Sequence, residues 1–132
     1  MPKQILIVKG SPRAAGNSST LAEQAALGAR EAGAQVESIF LAGLDIRPCD
    51  GCDACRENGA CILDDSMQAL YPKLQAADAV ILASPIYWFT YTAQLKAFID
   101  RWYALWNGSK YDAFQNTAFG VILTYGDDDL YT

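Results

Sequence analysis

A doubly wound parallel α/β sheet is the fold this sequence predicts. Its aliphatic runs are continuous rather than alternating, which suits strands buried on both faces of a parallel sheet. Segments that open on helix-capping residues separate those runs, in the order β-α-β-α-β-α-β. The 132 residues are 52% hydrophobic, enough for the core of one domain and too few for two. A single domain spanning residues 1–132 is therefore expected, with a cysteine-rich insert at about 47–62.

The first strand is Ile5-Leu6-Ile7-Val8, bounded by Gly10 and Pro12. Gly16-Asn17-Ser18-Ser19-Thr20 is rich in N-cap residues, so a helix should follow over residues 18–32 and stop at Gly33. Its expected apolar face is Leu21, Ala25, Ala29 and Ala32. Residues 35–41 read as the second strand, carrying Val36, Ile39, Phe40 and Leu41. After the insert, Asp64-Asp65-Ser66 should cap a helix running to Ala76. Ala79-Val80-Ile81-Leu82-Ala83 is a third buried strand, expected to stop at Ser84-Pro85. A helix is expected over residues 92–106, with Leu95, Phe98, Ile99 and Trp102 turned inward. Ala118-Phe119-Gly120-Val121-Ile122-Leu123-Thr124 is the fourth strand. The sequence ends soon after it. A five-stranded sheet of order 2-1-3-4-5 needs a further strand and helix, so a sheet truncated after its fourth strand is expected, completed by more chain or by a partner.

Charge narrows the function. Ten basic and fifteen acidic residues give a net charge of −5, which disfavours nucleic acid and anionic membranes as partners. No apolar run has transmembrane length. Met1-Pro2-Lys3-Gln4 leads directly into the first strand without a cleavage-site pattern, so a mature cytoplasmic protein is expected. Histidine is absent, which removes His-containing triads and His-ligated zinc.

Three segments converge on the carboxyl edge of such a sheet. Gly10-Ser11-Pro12-Arg13-Ala14-Ala15-Gly16-Asn17-Ser18-Ser19 joins the first strand to the first helix. Backbone amides at the helix N-terminus, the Ser and Asn side chains and Arg13 form a cup suited to phosphate. The segment has neither the G-x-G-x-x-G spacing nor a Walker Lys-Ser/Thr, so a mononucleotide phosphate fits better than a pyrophosphate. Ser84-Pro85-Ile86-Tyr87-Trp88-Phe89-Thr90-Tyr91 follows the third strand and can wall a flat ring. In a 2-1-3-4-5 sheet the first and third strands flank the topological switch point, where flavin mononucleotide binds in flavodoxin-like folds. Thr124-Tyr125-Gly126-Asp127 reaches the same edge.

Cysteine occurs four times, at Cys49, Cys52, Cys55 and Cys61, spaced C-x2-C-x2-C-x5-C. In a reducing compartment such a group binds metal or reacts rather than forming a structural disulfide. The spacing approaches that of bacterial ferredoxins, with a longer final gap and Ile62 where proline would follow. Zinc and free or redox-active thiols are the other readings.

Taken together, Gly10-Ser11-Pro12-Arg13 with Gly16-Asn17-Ser18, the four-cysteine loop, Asp64-Asp65-Ser66-Met67, Ser84-Pro85-Ile86-Tyr87-Trp88 and Gln94-Leu95-Lys96-Ala97-Phe98-Ile99-Asp100-Arg101 resemble the flavodoxin-like NAD(P)H-dependent FMN reductases. The compact cysteine loop resembles the iron–sulfur flavoprotein branch. The resemblance covers essentially the whole chain. It implies that Ser11, Arg13, Asn17, Ser18 and Ser19 hold the FMN phosphate. Pro85, Ile86, Tyr87 and Trp88 would line the isoalloxazine, with Thr124, Tyr125 and Gly126 on another side. Cys49, Cys52, Cys55 and Cys61 would ligate a [4Fe-4S] cluster. NAD(P)H is the implied donor, and a small molecule or a protein the other electron partner. The alternative is an NAD(P)H-dependent reductase of FMN, quinones or nitro and azo compounds without a cluster. A homodimer or homotetramer is implied, with Phe98, Trp102, Tyr103 and Trp106 as a candidate interface.

Overall fold

The computed structural model describes residues 1–106 and 111–126, without the side chains of 111 and 112. Asp127 of the third edge segment lies outside the described residues. The strands are β1 (Gln4–Lys9), β2 (Gln35–Phe40), β3 (Ala79–Tyr87), β4 (Thr90–Tyr91) and β5 (Ala118–Thr124). The α-helices are α1 (Asn17–Glu31), α2 (Ala54–Asn58), α3 (Tyr71–Ala76) and α4 (Ala93–Asp100). β1 pairs in parallel with both β2 and β3, and β3 pairs in parallel with β5. The order β2-β1-β3-β5 is the doubly wound topology expected, with β5 as the strand counted fourth in the sequence. The short β4 folds back antiparallel on the end of β3, pairing Thr90 with Tyr87.

Alternation along β1 builds a core on each face of the sheet. Leu6 and Val8 join Leu74, Val80, Leu82, Leu95 and Phe98 on one side. Ile7 meets Ala22, Ala26 and Ala83 on the other. Trp102 packs edge-on against Phe98 at 5.5 Å between ring centres and lies 5.0 Å from Phe114. Phe98 is fully buried and so takes no part in the subunit interface expected for it, while Trp102 is half-buried at the border of the core.

Other expectations are corrected as well. β3 continues through Ser84-Pro85 to Tyr87. Gly10 donates to the Ala83 carbonyl at 2.7 Å. Two residues on, Pro85 faces the same side, beyond the end of β1, so its missing N–H forfeits no ladder bond. The helix expected to reach Ala76 is a 3₁₀ turn, Ser66–Ala69, followed by α3. Pro72 in the first turn of α3 has no N–H to continue a helix from the preceding residues. α4 likewise tightens into a 3₁₀ turn at Arg101–Leu105. The inward face of α1 is Ser18, Ser19, Ala22 and Ala26, not the stripe that begins at Leu21, which is 49% exposed. Small side chains on that face let the helix lie close to the sheet. No described helix is long and apolar enough to cross a membrane.

Candidate functional site

The switch point between β1 and β3 opens a cleft of about 570 Å³, inside the range of roughly 300–1,000 Å³ usual for small-molecule sites. One wall is the β1–α1 loop, contributing Ser11, Arg13, Ala15, Gly16, Asn17 and Ser18. The facing wall is the end of β3, with Pro85, Ile86 and Tyr87. Thr124, Tyr125 and Gly126 close a third side.

The loop is shaped by contacts within itself. A Cβ on Gly10 would sit 3.0 Å from the Leu95 Cβ and 3.1 Å from the Ala83 carbonyl oxygen, so any larger residue would crowd the point where β1 leaves the sheet. The Ser11 hydroxyl accepts from the Arg13 amide at 3.0 Å, and the Ser19 hydroxyl donates to the Arg13 carbonyl at 3.0 Å. Ser19 is thus buried behind the loop and does not line the cleft.

The start of α1 carries the main chemical signal. α4 is capped by the Thr92 hydroxyl, which accepts from the Leu95 amide at 3.3 Å. The turn at Ser66 is capped by Asp65. α1 begins at Gly16 with no side-chain cap at all. Its first amides and the positive end of the helix dipole sit on the cleft wall beside Arg13. The residues that read as N-caps in the sequence are themselves inside the helix.

Trp88 also lies away from the cleft lining. It forms the two-residue turn between β3 and β4 with Phe89, at φ 47° and 71° respectively. Both are exposed, Trp88 by 91%. A hairpin this tight favours positive φ at both central positions, a conformation that bulky side chains adopt under strain.

A second pocket is lined by all four cysteines, with Leu63, Arg101 and Tyr103 among its other walls. It shares no lining residue with the cleft. Cys49 and Cys52 are exposed, Cys55 is buried in α2 and Cys61 is half-buried. The tight path between them uses left-handed backbone at Gly51 (φ 71°) and Asp53 (φ 58°). Tyr103 donates its hydroxyl to Asp53 at 3.1 Å, tying the start of α2 to the turn after α4.

Beneath the pocket lies a buried ion pair between Asp65, the cap of the Ser66 turn, and Arg101 at the C-terminal end of α4. Arg101 donates to both Asp65 oxygens, at 2.6 and 3.2 Å, to the Arg47 carbonyl at 2.9 Å and to the Cys61 sulfur at 3.4 Å. Asp65 also accepts from the Arg47 and Met67 amides at 3.0 and 2.9 Å. Burial works against its charge, but the Arg101 guanidinium and these amides hold the carboxyl below its ordinary value. Burial likewise opposes a Cys61 thiolate. The Leu63 amide, the Tyr71 hydroxyl and Arg101 outweigh it, and the thiol falls below its usual range. Cys55 goes the other way, raised by burial and then by the neighbouring Cys61. The signal that could have exposed the pair is an arginine continuing the inward face of a helix, with a capping aspartate available to meet it.

The four thiols surround the pocket without converging. Among the described residues no three His, Cys, Asp or Glu side chains are gathered closely enough to hold a metal ion. A single zinc needs four ligands about 2.0–2.3 Å from one centre. A four-iron cluster binds each cysteine to a different iron, so its ligands stand farther apart, and an all-thiolate donor set is the one it uses. One further feature fits a sulfur-rich group. Arg101, almost wholly buried on the pocket wall, keeps an Nε–H with no acceptor.

Comparison with known proteins agrees with this geometry. The model of the NADPH-dependent FMN reductase family matches residues 3–129. The chain belongs to that family. It is 39% identical over 94 residues to an iron–sulfur flavoprotein of Methanosarcina thermophila, covering 71% of this chain and 49% of the relative. It is 38% identical over 98 residues to an iron–sulfur flavoprotein of Methanocaldococcus jannaschii, covering 74% and 51%. The chain thus spans about half the length of these curated relatives. The crystal structure of an NADH:FMN oxidoreductase in its apo form superposes with a TM-score of 0.69 at 26% identity, over 96% of this chain and 60% of the other. The family fold is therefore present from β1 through β5, with the cleft at its switch point.

Proposed function

We propose that this protein is an FMN-dependent oxidoreductase that couples its flavin to a [4Fe-4S] cluster. The observation that carries the reading is the uncapped start of α1 set across the cleft from the ends of β3 and β5. Arg13, the Asn17 and Ser18 side chains and the first amides of α1 would hold the phosphate. Pro85, Ile86 and Tyr87 on one side, and Thr124, Tyr125 and Gly126 on the other, would flank the ring system. Bound there, FMN accepts a hydride or two electrons and returns them singly or in pairs.

Cys49, Cys52, Cys55 and Cys61 would hold the cluster, which carries single electrons. The iron–sulfur names of the relatives and the spread of the four thiols support that assignment over zinc. No side chain need act as acid or base, consistent with a chain that has no histidine. NAD(P)H is the proposed donor, a small molecule or a protein the acceptor, and a homodimer or homotetramer the assembly.

A joint assay of flavin, iron and acid-labile sulfide on anaerobically purified protein tests this. FMN with iron and sulfide is expected. Protein without flavin would sink the proposal. Flavin without iron, together with steady NAD(P)H oxidation, would leave a cluster-free reductase of FMN, quinones or nitro and azo compounds.

A further inference from the structure

Arg101 is the largest of the fully buried side chains, at 1% exposure. A guanidinium keeps its charge at any physiological pH, and burying it is strongly unfavourable unless that charge is met. Asp65 meets it, and the Arg47 carbonyl takes a further bond. Charge balance is then complete, yet two donors are directed elsewhere. Nη2 also reaches the Cys61 sulfur at 3.4 Å, and Nε–H has no partner. A buried N–H without an acceptor calls for an explanation, and this one belongs to a side chain that lines the cysteine pocket.

The explanation follows from the chemistry of the pocket that Arg101 lines. Asp53 accepts from Tyr103, and Asp50 accepts from the Cys52 amide at 3.2 Å. Apart from Asp50, Asp53 and Tyr103, the side-chain acceptors on the wall are the four cysteine sulfurs. The position of the guanidinium is fixed from both ends. Its head is held by Asp65, and its own carbonyl accepts the Tyr71 hydroxyl at 3.1 Å.

Resting on the proposal that these cysteines hold a cluster, we infer that Arg101 is a positioning residue that sets the cluster's reduction potential. One N–H binds the Cys61 sulfur, and Nε–H is held ready for a second sulfur of the bound group. Hydrogen bonds to cluster sulfurs stabilise the more negative, reduced form, so Arg101 raises the potential. Because Asp65 offsets the guanidinium charge, the directional N–H bonds carry the effect.

The test uses full-length protein, prepared anaerobically, as wild type, Arg101→Lys and Arg101→Met. Lysine keeps the charge and loses the fork; methionine loses both. Iron, sulfide and FMN per chain are measured, far-UV circular dichroism checks the fold, and a redox titration followed by electron paramagnetic resonance gives the potential. With fold and FMN kept, the expected result is a potential that falls from wild type to Arg101→Lys to Arg101→Met, or a selective loss of iron in the same order. Unchanged potential at full iron loading in both variants would overturn the inference. So would joint loss of fold, FMN and iron, which marks Arg101 as a general structural residue. Wild-type protein with flavin but no iron would instead refute the cluster itself, and this inference with it.

Discussion

The cleft and the cysteine pocket are built in opposite ways. The cleft is made from chain ends: a loop leaving β1, the last residues of β3 and the turn after β5. Part of its polar character comes from backbone amides that a parallel sheet with a following helix presents wherever it is built, beside the side chains of Ser11, Arg13, Asn17 and Ser18. The pocket is made from side chains that meet across the fold. Cys61, Asp65 and Arg101 touch only because the insert lies against the turn that follows α4. A site of backbone tolerates changes in side chain; a site of buried charge does not. The comparison predicts that damage at the pocket should cost stability, whereas damage at the cleft should cost affinity.

The largest effect is expected from Asp65→Ala. Both members of the ion pair are wholly buried, at 1% and 0% exposure. Removing one leaves the other charged and unpaired, which costs about 3–5 kcal/mol. Urea denaturation should show the midpoint falling with little change in slope. A loss well under 1 kcal/mol would mean that the pocket is no more rigid than the cleft. Acid should do the same reversibly. The folded Asp65 carboxyl is held below its ordinary value of 3.8. Its contribution is therefore complete above that value and is lost as pH falls through the lower, folded-state value. Wild-type stability should accordingly decline below about pH 4 more steeply than that of Asp65→Asn, which has no carboxyl to protonate.

Next comes Arg13→Gln at the cleft. A hydrogen bond to a charged group contributes about 1.5–3 kcal/mol, so FMN affinity should fall about 10–100-fold. The iron content and the urea midpoint should stay near wild type. Fluorescence titration of the apoprotein with FMN measures the first. A fall in stability equal to that of Asp65→Ala would erase the contrast between the two sites.

The two regions also differ in how far the sequence reveals them. Strand order, the loop from Gly10 to Ser18 and the strand ends at Pro85 and Thr124 are local features, each legible as an aliphatic run followed by small or polar residues. The four cysteines were legible by spacing. The Asp65–Arg101 pair was not, because no local pattern links an N-cap aspartate to an arginine thirty-six residues on. Local rules also misjudged α1. Leu21 reads as core, but Ser18, Ser19, Ala22 and Ala26 face the sheet because small residues permit the closer approach. At Pro85 the usual meaning of proline failed, since β1 has already ended beside it.

The smallest effect concerns the hairpin tip, where the sequence placed Trp88 on the flavin. Trp88 and Phe89 both hold positive φ, and their rings meet edge-on at 5.7 Å with most of their surface in water. Asn-Gly adopts this turn without the side-chain strain that bulky residues carry there. The double substitution Trp88→Asn, Phe89→Gly should raise stability by about 1 kcal/mol, because little burial is lost to offset the relief. It should leave FMN affinity within about twofold, a change under roughly 0.5 kcal/mol, since neither side chain lines the cleft. A melting curve and an FMN titration decide the matter together. Stabilisation with unchanged affinity would confine the cleft to the ends of β1, β3 and β5. A tenfold loss of affinity would return Trp88 to the flavin and show that this site, like the pocket, depends on a side chain reaching across from another element.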